Sequence, residues 1–168
     1  AGIPRGSFYM YFRDKEDLFR YLIQESMDAL LLAFEEILRR CGGDVFAALP
    51  EMYDYLQAHR EWDRSLGGMG MMAAIANCNG EDRSGGALKF VDTELVLKRM
   101  EACVNPDLLD LRQPEDLDAI LRMLMTLLGP VLYSGLQPEP EPEGRAKLEQ
   151  ALKILQRGMG AKSMPGQQ

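Results

Sequence analysis

The 168-residue chain has few of the residues that build metal sites, disulfides or catalytic centres. It contains one histidine, His59, and three cysteines that are odd in number and far apart, Cys41, Cys78 and Cys103. Because no CxxC spacing and no paired His and carboxylate motif occurs, a Cys/His metal site is not expected. GxSxG and Gly-rich phosphate-binding motifs are missing too. We therefore predict a protein that is not an enzyme and that uses no metal and no cofactor.

Long hydrophobic runs are also missing. The longest uninterrupted one is about six residues, at 29–34, whereas a membrane-spanning helix needs about 20. The first residues do not combine a basic region with a following apolar stretch, as a signal peptide does. We expect no membrane segment and a cytoplasmic location, where cysteines stay reduced.

Positive charge is in the minority and unevenly placed. Lys and Arg number 19 against 26 Asp and Glu, a net charge of −7, which excludes a uniformly basic nucleic-acid binder. Residues 1–24 carry four basic and three acidic side chains, however, while the remainder carries 15 and 23. The same short head holds Phe8, Tyr9, Tyr11 and Phe12. The head therefore differs chemically from an acidic body.

Helical spacing recurs along the chain and strand-like alternation is almost absent, which predicts an all-α fold of six or seven helices. Pro4 suits the first position of a short helix that ends near residue 12. Asp14, followed three residues later by Asp17, predicts a capped start for a long helix over 15–40.

The rest of the chain predicts further helices. Gly42-Gly43 should end the long helix, and Asp44 should cap a next one that Pro50 kinks or divides. Later helices are predicted over 87–104, with Leu95 on the apolar face, and over the strongly apolar segments 114–136 and 145–159. The pair Glu35-Glu36 is interpreted as solvated surface.

The segment from Ala1 to Phe19 carries the clearest functional pattern. Gly6 and Ser7 leave one side of the short helix thin, so that it can approach another molecule closely. Hydrogen-bond donors of the kind that phosphates accept come from Arg5, Ser7, Tyr9, Tyr11 and Lys15.

The string AGIPRGSFYMYF followed by DKEDLF resembles the DNA-binding signature of the tetracycline-repressor (TetR) family of bacterial regulators. About nineteen residues are covered, and the agreement lies at Gly2, Gly6, Ser7, Tyr9, Phe12, Lys15, Glu16 and Leu18. The resemblance implies a partial helix-turn-helix head at 1–19, whose recognition helix is 4–11. It also implies a TetR-type ligand-binding and dimerisation domain at 20–160, and we expect a frayed tail at 161–168.

Carried over position by position, the resemblance implies DNA contacts. Arg5, Ser7 and Met10 would face base edges, and Gly6 would allow the helix to approach the DNA closely. Tyr9, Tyr11 and Lys15 would hold phosphates, while Phe12 would pack inside. Pro4 and Met10 depart from the residues that are frequent there in the family. The family also has two helices before this point, so we expect operator binding to require them and the chain as given not to form a complete DNA-binding domain.

The Met-rich segment 67–78 combines glycines with flexible apolar side chains, which suit either a loosely specified core or an adaptable apolar site. The resemblance implies that the middle helices enclose a pocket for a small, largely apolar effector. Candidate wall residues on that interpretation are Tyr55, Trp62, Met69, Met72, Phe90 and Met123.

The helices over 114–136 and 145–159 are too apolar for the surface of a lone chain, so they form either internal core or the interface of a homodimer. The resemblance favours the homodimer, which also suits palindromic half-sites. The expected function is that of a bacterial ligand-responsive transcriptional regulator, a repressor that leaves its operator when a small molecule binds the body. The alternative is a helical dimerisation module without DNA binding of its own.

Overall fold

The computed structural model describes residues 10–59, 92–134 and 142–161. These ranges contain five α-helices and one short 3-10 helix, namely α1 (Lys15–Arg40), α2 (Val45–Ala58), α3 (Thr93–Glu101), the 3-10 helix Pro106–Leu108, α4 (Asp116–Ser134) and α5 (Gly144–Met159). Within them the only β pairing is an isolated bridge between Leu109 and Gly160. The predicted all-α class is confirmed for the described part of the chain.

The start of α1 forms as the sequence predicts. The Asp14 side chain accepts a hydrogen bond from the backbone N–H of Asp17 at 2.8 Å. The Asp17 carboxylate in turn accepts one from the backbone N–H of Arg13 at 3.2 Å. The first bond satisfies an amide that the helix start leaves unpaired, and the second ties the residue before the cap to the first turn of α1.

The turn between α1 and α2 depends on two glycines with positive φ, 66° at Gly42 and 81° at Gly43. The backbone of Gly43 also passes close to Asn105, whose N–H donates to the Gly43 carbonyl at 2.9 Å. Asp44 then caps α2 by accepting from the amides of Phe46 and Ala47. The helix runs through Pro50 without dividing, so of the two predicted effects of this proline, division does not occur.

The hydrophobic core lies where the five helices meet. Helix α1 packs against α2 and α3, and α4 packs against α2, α3 and α5. The largest described side chains with almost no exposure are Ile23, Leu38, Val45, Tyr53, Leu56, Leu97, Leu121, Leu128 and Leu148. Helix α2 precedes residues 60–91 and α3 follows them, and both contact α1 and α4. Helices from both sides of this segment therefore contribute to the same core.

Helix α3 differs from its prediction. It begins at Thr93, because the extended Asp92 caps it by accepting from the amide of Leu95 at 3.1 Å. Its buried face consists of Thr93, Val96, Leu97 and Met100, whereas Leu95 is 51% exposed. Leu95 therefore does not belong to the apolar face, and the helix predicted over 87–104 does not continue through residue 92.

The chain after α5 is held against the connection before α4. Asp110 N–H donates to the Met159 carbonyl at 2.8 Å, and Ala161 N–H donates to the Leu108 carbonyl at 2.9 Å. Ala161, the first residue of the predicted frayed tail, is thus hydrogen-bonded to this connection beside the Leu109–Gly160 bridge. Residues 162–168 lie outside the described part.

Candidate functional site

The described end of the head presents two large side chains to solvent. Met10 and Tyr11 are helical, and each is 78% exposed. Phe12 instead is half-buried and packs on Tyr21, with ring centroids 5.7 Å apart and a tilt of 54°. Phe12 therefore packs on a neighbouring side chain, but it does not belong to the hydrophobic core or to the half-buried residues that pack against that core. Of the other predicted DNA-contacting residues, Arg5, Gly6, Ser7 and Tyr9 lie outside the described residues.

Lys15 is the first residue of α1 and is exposed. It lies at the positive end of the helix macrodipole. An anion near it would therefore be attracted both by the ammonium group and by that end of the dipole. Two neighbouring carboxylates are already engaged, since Asp14 and Asp17 cap the helix and Asp17 also contacts Arg20 at 3.6 Å. Met10, Tyr11 and Lys15 thus form an exposed set at the junction of head and long helix.

Two of the six predicted ligand residues can be placed in the body. Tyr55, on α2, is half-buried and its ring stacks on the His59 ring at a centroid distance of 4.1 Å. The His59 Nδ1–H donates to the Tyr55 carbonyl at 2.8 Å, which helps to close the end of α2. Met123, on α4, is 44% exposed. Trp62, Met69, Met72 and Phe90 lie outside the described residues.

Two buried hydroxyl groups were not predicted from the sequence. The Oη of Tyr53, on α2, and the Oγ1 of Thr93, on α3, are inaccessible to solvent and have no hydrogen-bond partner among the described residues. Leaving such a group unpaired in a protein interior costs about 1–3 kcal/mol. The one signal in the sequence was the helical spacing of Tyr53 with Leu49 and Leu56, which places its ring in the core.

Ion pairs join the helices of the body, and the residues that form them could not be identified from their spacing in the chain. Arg99, on α3, donates through Nε to Glu35 Oε1 at 2.6 Å and through Nη1 to Asp28 Oδ1 at 2.9 Å, both on α1. The bond with Glu35 raises the pKa of the Arg99 guanidinium. The Glu35 side chain is 16% exposed, so its interpretation as solvated surface is wrong, while Glu36 is 63% exposed.

Two further arginines connect elements in the same way. Arg122, on α4, bonds Asp118 within its own helix and Glu94 on α3, and these bonds raise its pKa. Arg145, on α5, donates to Asp54 on α2 at 2.8 Å. The Arg122–Glu94 and Arg145–Asp54 pairs therefore each join two neighbouring helices.

A surface cleft of about 480 Å³ lies between the start of α2 and the end of α5. Its lining includes Asp44, Lys153 and Arg157, and its wall is more polar than apolar. Neither Tyr55 nor Met123 lines it, so it is not the apolar site that the resemblance implies.

The described ranges contain no group of three or more His, Cys, Asp or Glu side chains that could hold a metal ion. They likewise contain no helix with the length and hydrophobicity to span a membrane.

No model of a known protein family matches the chain, and searches of curated proteins and of solved structures find no similar protein.

Proposed function

We propose that the protein is a DNA-binding transcriptional regulator of the TetR type, and that it represses transcription until a small molecule binds its helical body. The observation that carries the proposal is the junction at the start of α1. There Met10 and Tyr11 are exposed on a helical segment, and the exposed Lys15 follows four residues after Tyr11, at the helix start that Asp14 and Asp17 cap. The signature of the head supplies the residues before them.

In this proposal the head binds operator DNA with two kinds of contact. Tyr11 and Lys15 hold phosphates, which fix the position of the protein but carry no sequence information. Arg5, Ser7 and Met10 face base edges in the major groove and select the sequence, and Gly6 and Tyr9 complete the contact surface. The N-terminal end of α1 adds its dipole at the Lys15 phosphate.

The body converts ligand binding into a change of DNA affinity. A ligand can shift the equilibrium between two arrangements only by binding one of them more tightly. Helix α1 extends over 26 residues, so it spans about 39 Å from the head to the far end of the body. A small displacement of α1 by a ligand in the body therefore changes the position of the head.

A second copy of the chain completes the proposed regulator. Met123, Leu127 and Pro130 recur on one face of α4 at spacings of four and three, and the two hydrophobic side chains are 44% and 51% exposed. Ile154 on α5 is 60% exposed. An exposed apolar stripe such as the one on α4 favours burial against another chain, and we propose a homodimer through 114–136 and 145–159.

The same stripe favours the alternative, a helical dimerisation module that does not bind DNA. A selection experiment separates the two functions. The native full-length chain is incubated with a library of random-sequence duplexes, and bound duplexes are amplified and sequenced over several rounds. Enrichment of one inverted repeat supports the regulator. Absence of any enriched sequence, with a dimer present in solution, supports the dimerisation module.

A further inference from the structure

The surface cleft between α2 and α5 has the size of a small-molecule site. Its volume of about 480 Å³ lies within the range of about 300–1,000 Å³ that such sites occupy. The described residues that line it are Asp44, Leu108, Lys153, Gln156, Arg157, Gly160 and Ala161. Side chains and backbone from the start of α2, the 3-10 helix and the end of α5 therefore border one common space.

Hydrogen bonds within the chain hold the walls of the cleft in place. The Ala161 N–H donates to the Leu108 carbonyl at 2.9 Å, which ties the chain after α5 to the 3-10 helix. Asp44 is held by its bonds to the amides of Phe46 and Ala47 at the start of α2. A ligand therefore meets a cleft that is already formed and does not have to order its walls.

Lys153 and Arg157 bring two positive charges to the α5 wall. They are four residues apart, so they lie one turn apart on the same face of the helix. Both are exposed, and neither has an ion-pair partner among the described residues, whereas Arg145 on the same helix binds Asp54 and Glu149. In a chain with a net charge of −7, these two cations remain available to an anion from solution.

The other polar groups of the cleft define the rest of the ligand. Asp44 is the one carboxylate among the described lining residues, and its Oδ1 already accepts from the α2 amides. The positive end of the α2 dipole offsets part of its charge, and the carboxylate can still accept a hydrogen bond from a hydroxyl group. The Gln156 amide can both donate and accept. An anionic group is therefore expected beside Lys153 and Arg157, with hydroxyl groups next to it.

The size and composition of the cleft narrow the choice further. A lone phosphate is only a few times the size of a water molecule, which occupies about 30 Å³ in the liquid, so it would fill a small part of the cleft. No aromatic side chain occurs among the described lining residues, so a nucleobase would have no ring to stack on.

We propose that this cleft binds a phosphate monoester of a polyhydroxyl compound, such as a sugar phosphate. The phosphate carries close to two negative charges at neutral pH, which match Lys153 and Arg157, and the hydroxyl groups bond to Asp44 and Gln156. The site goes beyond the proposed function and does not rest on it, because no residue of the head lines the cleft. Ile154, whose exposure supports the dimer, does not line it either.

The test uses probes that each lack one feature of the proposed ligand. Glucose 6-phosphate and ribose 5-phosphate carry the doubly charged group and the hydroxyl groups. Glucose and ribose lack the anion, gluconate carries a single charge, and inorganic phosphate lacks the polyhydroxyl part. Binding to the native full-length chain is measured by titration calorimetry. We expect at least one sugar phosphate to bind roughly tenfold more tightly than gluconate and inorganic phosphate, and the neutral sugars to bind most weakly.

The variants Lys153→Gln and Arg157→Gln each remove one charge from the α5 wall and keep a polar side chain there. Each should weaken the binding of the sugar phosphate roughly tenfold, because a hydrogen bond to a charged group is lost. The control Lys98→Gln removes an exposed lysine of α3 that does not line the cleft, and it should bind as wild type does. Neither cleft variant should lower the melting temperature of the ligand-free protein, because neither breaks an ion pair.

A fall of that melting temperature in both cleft variants would show that the two cations already pair within the protein, and it would overturn the proposal. Binding of a neutral sugar, gluconate or inorganic phosphate as tightly as of the sugar phosphates would overturn it as well. So would unchanged binding in both cleft variants, an equal loss in Lys98→Gln, or no binding by any probe.

Discussion

The guanidinium of Arg99 and the carboxylate of Glu35 join α3 to the C-terminal part of α1, with Nε and Oε1 2.6 Å apart. The two side chains are 23% and 16% exposed, so this pair is less accessible than most of the ion pairs around it. Helix α1 leads to the head, which is proposed to bind DNA, and α3 belongs to the body, which is proposed to bind the ligand. The pair therefore connects the helix that leads to the head with the rest of the body.

Replacing Arg99 with Met should destabilise the protein by about 1–3 kcal/mol, because it leaves the half-buried Glu35 carboxylate without its partner. The matched control is Asp28→Asn, which removes the other acid bound to Arg99. Asp28 is 63% exposed, so its loss should cost at most about 0.5 kcal/mol. Urea titration of both variants measures the difference, and equal losses would contradict the importance of the Glu35 pair.

The turn between α1 and α2 allows a test with two adjacent glycines. An added Cβ at Gly43 would lie 2.5 Å from the Asn105 backbone nitrogen, whereas one at Gly42 would meet nothing within 4 Å. Gly42→Ala should therefore cost about 1 kcal/mol for its positive φ alone. Gly43→Ala should cost more than about 3 kcal/mol, because the backbone must also move. Similar unfolding midpoints for the two variants would show that the Asn105 contact is unimportant.

The hydrogen bonds of the Asp116 carboxylate predict how the stability of the protein depends on pH. Its carboxylate accepts from the amides of Arg112 and Gln113 at 2.7 and 2.9 Å, and these bonds lower its pKa from the ordinary value of 3.8. A lowered folded-state pKa means that the stabilisation is complete above the unfolded pKa of about 3.9 and is lost as the pH falls through the folded value. Wild type should therefore exceed Asp116→Asn in stability at pH 6, and the difference should shrink below pH 4.

The neighbouring exposed Glu115 supplies the control for that measurement, since its side chain has no bond of this kind among the described residues. Glu115→Gln should leave the acid limb of the stability curve unchanged. If the free energies of unfolding of wild type and Asp116→Asn differ by the same amount from pH 6 to pH 3, the proposed role of the carboxylate is ruled out.

The dimer proposal is tested by two leucines of equal exposure. Leu127 on α4 and Leu95 on α3 are both 51% exposed, but only Leu127 belongs to the stripe with Met123 and Pro130. Leu127→Glu should convert the dimer to a monomer, because a charge buried in an apolar interface lacks compensation. Leu95→Glu should leave the dimer intact. Native mass spectrometry reports the oligomeric state, and a dimer that survives Leu127→Glu would place the interface elsewhere.

The parts of the fold that local chemistry determines could be predicted from the sequence. The cap at Asp14, the glycine stop at Gly42-Gly43 and the cap at Asp44 depend on neighbours in the chain. Helix α1 has the predicted bounds, and α2 begins after the predicted cap. The start of α3 was placed too early, because a helical hydrophobic pattern continues across Asp92 in the sequence and conceals its capping role.

Contacts between distant residues could not be predicted in the same way. Nothing in the spacing of Glu35 and Arg99 indicates that residues 64 positions apart form an ion pair. The unpaired state of the Tyr53 and Thr93 hydroxyls likewise depends on the packing of several helices. The site residues of the head came from a motif, and for Met10, Tyr11 and Lys15 the exposure is compatible with the predicted role.

The measurement that tests the central claim most directly is the salt dependence of binding to the duplex enriched by selection. Binding of wild type, Lys15→Gln and the control Lys98→Gln is measured by fluorescence anisotropy over a range of salt concentrations. Lys98 is an exposed lysine on α3, remote in sequence from the head. If Lys15 holds a phosphate, its variant should bind more weakly, and the slope of log K against log salt should decrease by about 1. An unchanged affinity and slope in Lys15→Gln, or an equal loss in Lys98→Gln, would contradict the proposed DNA-binding head.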